Sequence, residues 1–215
     1  MSEIKPFYLN DLRECCYVLY DKTGECVIVD PGMQNENEQS RIEKFITANN
    51  LKPVKLLLTH GHFDHIMGVA FVIKRWNIPV YLNSNDLNLF SDAGKYFKMF
   101  DYSVEAPQGT TINVSDGDLI KFGDTELKAI ASPGHTKGGM CYYCERDNYL
   151  ITGDSLFAGS IGRTDLPGGD YDVLMESLLG RVLSSVSKEA RVFPGHGPST
   201  TVITELQNNP FLRYE

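Results

Sequence analysis

The stretch LLLTHGHFDHIMG, residues 56–68, places three imidazoles and a carboxylate within six positions, 60–65, behind a run of leucines. Histidine is scarce in this chain: of five, His60, His62 and His65 lie here, with Asp64 between them. Residues 56–59 read as a buried strand. Residues 66–76, apolar on nearly every side, read as a helix buried against a sheet. The imidazoles therefore fall in the loop joining the two. Side chains two apart point the same way in extended backbone, so His60 and His62 can grip one ion while Asp64 and His65 turn towards a neighbour. One loop can thus seed two metal sites.

Working outward, the other two histidines also follow β-rich runs: His135 in AIASPGHTKGG and His196 in RVFPGHGPS, each after a Pro-Gly turn. Asp154 ends a strand-like run in YLITGDS in the same manner. A lone histidine is ordinarily a polar loop residue or a satisfied core group. Here all five sit at strand-to-loop junctions and none within an element, which chance scatter does not produce.

The remaining pattern predicts a layered α/β architecture. CCYVLY and ECVIVD, separated by DKTGE, form a predicted hairpin. Apolar positions Ile42, Phe45 and Ile46 at helical spacing place a helix over residues 36–49, and strands follow over 55–58 and near Val80. A helical stretch over 86–100 contains Tyr96, Phe97 and Phe100, which line a pocket or pack in the core. Residues 110–154 are short β-rich runs split by turns, a second sheet. Tyr171, Leu174, Met175, Leu178, Leu179 and Val182 fall on one stripe of a helix, and the strand ARVFPGH and a short terminal helix follow. Two β-rich halves, each with helices to cover one face, predict a sandwich rather than a doubly wound parallel sheet. With 215 residues, 42 % hydrophobic and 22 % charged, the expectation is one domain over residues 1–215.

Charge and cysteine usage narrow the partners and the compartment. A formal charge of −8 has the wrong sign for binding a phosphate backbone, so nucleic acid is not an expected partner. The amino terminus lacks the basic start and apolar run of a secretory signal, and no segment approaches membrane-spanning length. A cytoplasmic protein without a membrane partner is expected. The five cysteines lie mostly inside strand-like runs, as reduced buried thiols do. Cys141 and Cys144 form a CxxC, but on one extended strand positions three apart face opposite sides, so their sulfurs diverge.

THGHFDH, PGHT, TGDS and FPGHG, in that order, resemble the ligand motifs of the metallo-β-lactamase superfamily of metal-dependent hydrolases. The match runs from about Val29 to His196. The resemblance implies a four-layer αββα sandwich with a binuclear metal site at one edge of the sheets. By motif position it implies that His60, His62 and His135 bind the first metal, that Asp64, His65 and His196 bind the second, and that Asp154 bridges. Asp64 and Asp154 are the candidate catalytic carboxylates. Asp30, in VDPG, matches an acidic position close behind the site, with a structural turn as the alternative. Nitrogen and carboxylate donors suit two zinc ions, and iron or manganese also fits a donor set without cysteine. Two such ions about 3.5 to 4 Å apart lower the pKa of a shared water towards roughly 7, which makes hydroxide the expected nucleophile. They also draw carbonyl substrates with anionic groups.

Within the superfamily, GDSLFAGSIGRTDLPGGD is similar to the glyoxalase II-like group, which implies hydrolysis of a small, anionic acyl thioester of the hydroxyacylglutathione type. Arg163 falls where this group places a substrate-binding cation; a solvated loop arginine is the plain reading. Nineteen residues, 197–215, follow His196, so a short form without the group's helical carboxy-terminal domain is expected, which puts glutathione recognition in doubt. The alternative is an iron-dependent persulfide dioxygenase, which shares GRTD. A β-lactamase, which carries cysteine at the bridging position, and a non-catalytic binding module rank below both.

Overall fold

A computed structural model describes residues 1–213. In it, β1 (Ser2–Leu9), β2 (Glu14–Asp21), β3 (Glu25–Val29), β4 (Lys52–Leu57), β5 (Val80–Leu82) and β6 (Thr111–Asn113) form one sheet in chain order. The first three strands pair antiparallel, and β3 to β6 pair parallel through helical crossovers. The second sheet takes β7 (Leu119–Phe122), β8 (Thr125–Ala131), β9 (Met140–Cys144) and β10 (Tyr149–Gly153) as an antiparallel run. After a two-stranded ribbon, β11 (Leu156–Phe157) and β12 (Ser160–Ile161), β13 (Arg191–Pro194) joins β10 in parallel and β14 (Thr200–Thr201) closes that edge.

Side-chain alternation builds the layers. In β2, Cys15, Tyr17 and Leu19 point between the sheets, against Phe122, Leu127, Tyr142 and Ile151 of the second sheet. Cys16 and Val18 point the other way, under helices α1 (Glu36–Ala48), α3 (Val69–Trp76) and α4 (Leu87–Met99). Behind the second sheet, Cys141, Tyr143 and Val192 meet α5 (Tyr171–Glu176) and α6 (Val202–Asn208). Helices thus cover the outer faces of two stacked sheets, and three apolar layers separate the four, as expected from the sequence. Both faces of the central strands are buried, which is why they read as unbroken apolar runs.

Three details depart from the sequence reading. Strand β1 was not anticipated, because Pro6 and its alternating charges resemble a loop; an edge strand tolerates both. The helix expected over 66–76 begins earlier, as a turn α2 (Phe63–Ile66), and breaks at Met67 and Gly68, where the Gly68 amide donates to the Pro31 carbonyl at 2.6 Å. The stripe from Tyr171 to Val182 runs from α5 into a π-helical turn, Ser177–Val182, which changes the period. Tyr171, the first residue of α5, lies 47 % exposed rather than on the buried stripe. Phe97 is core, whereas Tyr96 and Phe100 line a cleft. Cys141 and Cys144 pack in different layers, and all five cysteines are buried and unbridged. No described helix is long and apolar enough to cross a membrane.

Candidate metal centre

Five of the donors hang beyond the carboxyl ends of strands, whereas Asp64 and His65 lie within the short helix α2. His65, contrary to the sequence expectation, thus sits inside an element. His60 and His62 follow β4 of the first sheet; His135, Asp154 and His196 follow β8, β10 and β13 of the second. The site therefore straddles one edge of the sandwich. Close packing at this edge demands glycine at two points. Gly153 turns the chain with φ +48 while Thr59 fills the space a side chain would need, and a Cβ on Gly195 would collide with Asp154 and His65.

All seven side chains singled out from the sequence converge. The donor atoms of His60, His62 and His135 lie within 4.8 Å of one another, as do those of Asp64, His65 and His196. Asp154 reaches both groups: its Oδ1 is 3.3 Å from His65 Nε2, and its Oδ2 is 3.5 Å from His135 Nε2 and 3.7 Å from His196 Nε2. Asp64 Oδ2 lies 3.2 Å from His196 Nε2. The two triads could each hold an ion, with the Asp154 carboxylate between them.

The far nitrogens of the rings explain their orientation. His135 Nδ1 is 2.7 Å from the Arg163 carbonyl and His196 Nδ1 is 3.1 Å from the Leu12 carbonyl, so each must donate there and leave Nε2 as a lone pair. Asp30, at φ +48, accepts the Thr59 amide at 2.7 Å and the Thr59 hydroxyl at 2.6 Å, and faces His65 Nδ1 at 3.1 Å. With its proton committed to Asp30, the Thr59 hydroxyl accepts from His60 Nδ1 at 3.0 Å. One buried carboxylate thus orients two imidazoles. Asp30 sits behind the cluster and, at its positive φ, also turns the chain after β3.

Buried polar atoms ordinarily have partners, yet His60 Nε2, His65 Nε2 and Asp154 Oδ1 have none and face inward. His62 Nδ1 and His135 Nε2 approach to 2.9 Å. Such inward lone pairs, all nitrogen or carboxylate oxygen, fit divalent cations. The electrostatics agree. Burial and the neighbouring rings hold His60 well below the usual imidazole range, and burial with His135 holds His62 down at about 4, so both stay neutral. Burial disfavours the charges of Asp64 and Asp154, but His65 outweighs it and holds both carboxyls below their ordinary range. His60, His62 and the two carboxylates are therefore already in the form a metal requires. Burial disfavours the charged forms of His65 and His196, but Asp154 and Asp64 outweigh it and lift both above the usual imidazole range, so an ion binding here would displace their protons.

Two further residues were not found from the sequence. Asp86, buried at the start of α4, accepts the Gly61 amide at 3.0 Å, the Thr136 hydroxyl at 2.7 Å and the Gly138 amide at 2.7 Å. It ties the loop of His60 and His62 to the loop of His135. Glu14, fully buried, has its Oε1 3.9 Å from His65 Nδ1, and burial lifts its carboxyl well above the usual range. Both contacts join segments distant in the chain, and no local spacing signals them.

Above the donors opens a cleft of about 420 Å³ between Leu12, Phe63, Leu89, Phe100 and Leu166. Arg163 lines it too, with 61 % of its side chain exposed and its guanidinium held by Asp165 at 2.8 Å. The sequence profile of the metallo-beta-lactamase superfamily matches residues 11–196. The chain belongs to the metallo-beta-lactamase superfamily. Its metallo-beta-lactamase fold superposes on the crystal structure of the BLEG-1 B3 metallo-beta-lactamase with a TM-score of 0.88, at 32 % identity over 98 % of this chain and 99 % of that one. It superposes on TTHA1623 in a di-iron-bound form with a TM-score of 0.85, at 36 % identity over 97 % and 100 %. Hydroxyacylglutathione hydrolase GloC of Haemophilus influenzae is 33 % identical over 98 % of this chain and 97 % of its own length. As a member of this superfamily the chain is a metallo-hydrolase by family.

Proposed function

We propose that the protein hydrolyses small thioesters, of the hydroxyacylglutathione type, with two divalent ions, zinc by the chemistry of its donors. The observation that carries this reading is the convergence of seven donors beneath an open cleft, with buried atoms of His60, His65 and Asp154 left unpartnered among them. His60, His62 and His135 would hold one ion, and Asp64, His65 and His196 the other, with Asp154 spanning both. When bound, such ions lower the pKa of a shared water towards about 7 and polarise a carbonyl.

The chain's own residues supply the rest. Asp30 and Thr59 hold the rings of His60 and His65 in register. Asp64 and Asp154, kept ionised beside the cleft, are placed to accept the proton of the attacking water. The donors themselves lie mostly buried beneath the cleft, which strengthens the electrostatic contacts among them. A departing thiolate, with a pKa of about 8.5 or below, leaves without a dedicated acid, whereas an amide nitrogen must be protonated. The name of the Haemophilus influenzae relative supports the same substrate class. The BLEG-1 likeness favours β-lactam opening as a second reading.

Metal content of the purified protein, measured with thiol release from lactoylglutathione and from simple acyl thioesters, tests the proposal. Two ions per chain and thiol release are expected. Oxygen uptake on glutathione persulfide by an iron-loaded sample, or opening of a chromogenic cephalosporin without thiol release, would overturn it.

A further inference from the structure

Phe63 follows His62 directly, and its ring stacks on Phe100 at 5.0 Å and 22° and on Tyr96 at 6.4 Å and 17°. This aromatic shelf begins one residue from the donors and runs to the mouth of the cleft. Leu12, Leu89 and Leu166 also line the cleft. At the mouth, Leu12 is 47 % and Phe100 51 % exposed, so large apolar side chains stand open to water beside the reacting centre. Among the described residues Arg163 is the sole lysine or arginine lining the cleft, and its Nε and Nη2 already donate to the two oxygens of Asp165 at 2.8 Å each. The remaining N–H donors of Nη1 and Nη2 can still meet a substrate carboxylate, but at an exposed cation already paired with Asp165 such a contact brings little net gain. The mouth therefore rewards apolar and aromatic surface far more than negative charge.

The geometry points to a preference, among the thioesters of the proposed function, for an aromatic or bulky apolar acyl group, the acyl ring lying on the Phe63–Phe100 shelf. With one exposed, already paired cation at the mouth, the acyl group rather than the two carboxylates of a glutathione arm carries the selectivity. The inference rests on the thioesterase reading. In the reaction, water oxygen bonds to the acyl carbon, the C–S bond breaks with its electron pair going to sulfur, and the products are a carboxylic acid and a thiol. No oxidant or reductant enters.

Four esters separate the possibilities on the zinc-reconstituted full chain: phenylacetyl and acetyl, each on N-acetylcysteamine and on glutathione. The phenylacetyl ester should exceed the acetyl ester about tenfold in kcat/KM on either thiol, the scale of one aromatic stacking contact. Glutathione should confer no more than about a twofold advantage. Phe100→Ala, at a half-exposed position, should shrink the phenylacetyl-to-acetyl ratio to about twofold or less. A wild-type ratio near one, a ratio unmoved by Phe100→Ala, or a roughly tenfold preference for the glutathione arm would overturn the inference. Binding of S-phenethyl-N-acetylcysteamine, a thioether that cannot be hydrolysed, against its S-ethyl counterpart gives an independent reading. If none of the four esters releases thiol, the thioesterase reading fails. The thioether pair still decides the shelf: about tenfold tighter binding of the phenethyl compound supports it, and equal binding sinks it.

Discussion

Three donors converge on the Asp86 carboxylate from Gly61, Thr136 and Gly138, in the two loops that carry His60, His62 and His135. Removing it strands those donors in a buried place and frees the loops to separate. Asp86→Ala should weaken metal at the three-histidine triad about 10- to 100-fold, read by competition with a chromogenic chelator, and lower stability by about 1–3 kcal/mol. Asp86→Asn, which keeps an acceptor oxygen, should recover part of the affinity. If the alanine variant holds both ions as tightly as the parent, Asp86 has no part in the centre. The contrast with the histidines shows what a sequence discloses at this scale. His60, His62 and His65 were legible because their spacing is itself a ligand pattern, and His135, Asp154 and His196 because each follows a strand and a turn. Asp86 and Glu14 sit among ordinary helix-start and strand residues. Their partners come from elsewhere in the chain and meet them only after folding.

Strand β1 shows how an element can be tied down by charge as well as by its ladder. The Ser2 amide and hydroxyl both donate to Asp147 Oδ2 at 2.7 Å, so the hairpin between β9 and β10 of the second sheet clasps the first residue of the first sheet. Arg146 Nη2 donates to the same oxygen at 2.7 Å. Burial pushes the Asp147 carboxyl up, but the bonds from Arg146 and Ser2 outweigh it and hold the group well below the usual carboxylate range. A folded-state value below the unfolded one, about 3.9, means the contribution is present above that pH and is lost as pH falls through the folded value. Asp147→Asn should therefore cost about 1–3 kcal/mol at pH 7 by urea unfolding, and the gap between variant and parent should close under strongly acid conditions. A gap that persists at low pH would assign the effect to shape rather than charge. At this scale, helix α1 and the hairpin of β2 and β3 are readable because helical spacing marks the one and a turn between β-rich runs marks the other. The π-helical turn after α5 was not, since a straight 3.6-residue period was assumed through Val182.

For the whole molecule, the layers were readable because each sheet's runs are separated by helices or turns of the right kind. How the two sheets face one another is instead decided by packing, Tyr17 and Leu19 against Phe122 and Tyr142. Donors drawn from both sheets make metal binding and sheet stacking a single equilibrium. An ion that binds only the folded chain adds about 2.7 kcal/mol at a hundredfold excess over its dissociation constant. Treatment with a chelator should accordingly lower the thermal midpoint and added zinc should restore it. A midpoint indifferent to both would argue that the cage holds no structural ion.

His60 follows a strand of the first sheet, and His196 follows β13, near the end of the described chain. During synthesis, a ribosome-bound chain emerges with its first triad still short of His135 and its second short of His196. The cage is thus unfinished until His196 has been added, and before that a nascent chain presents only partial sets of donors to the metal pool of the cell.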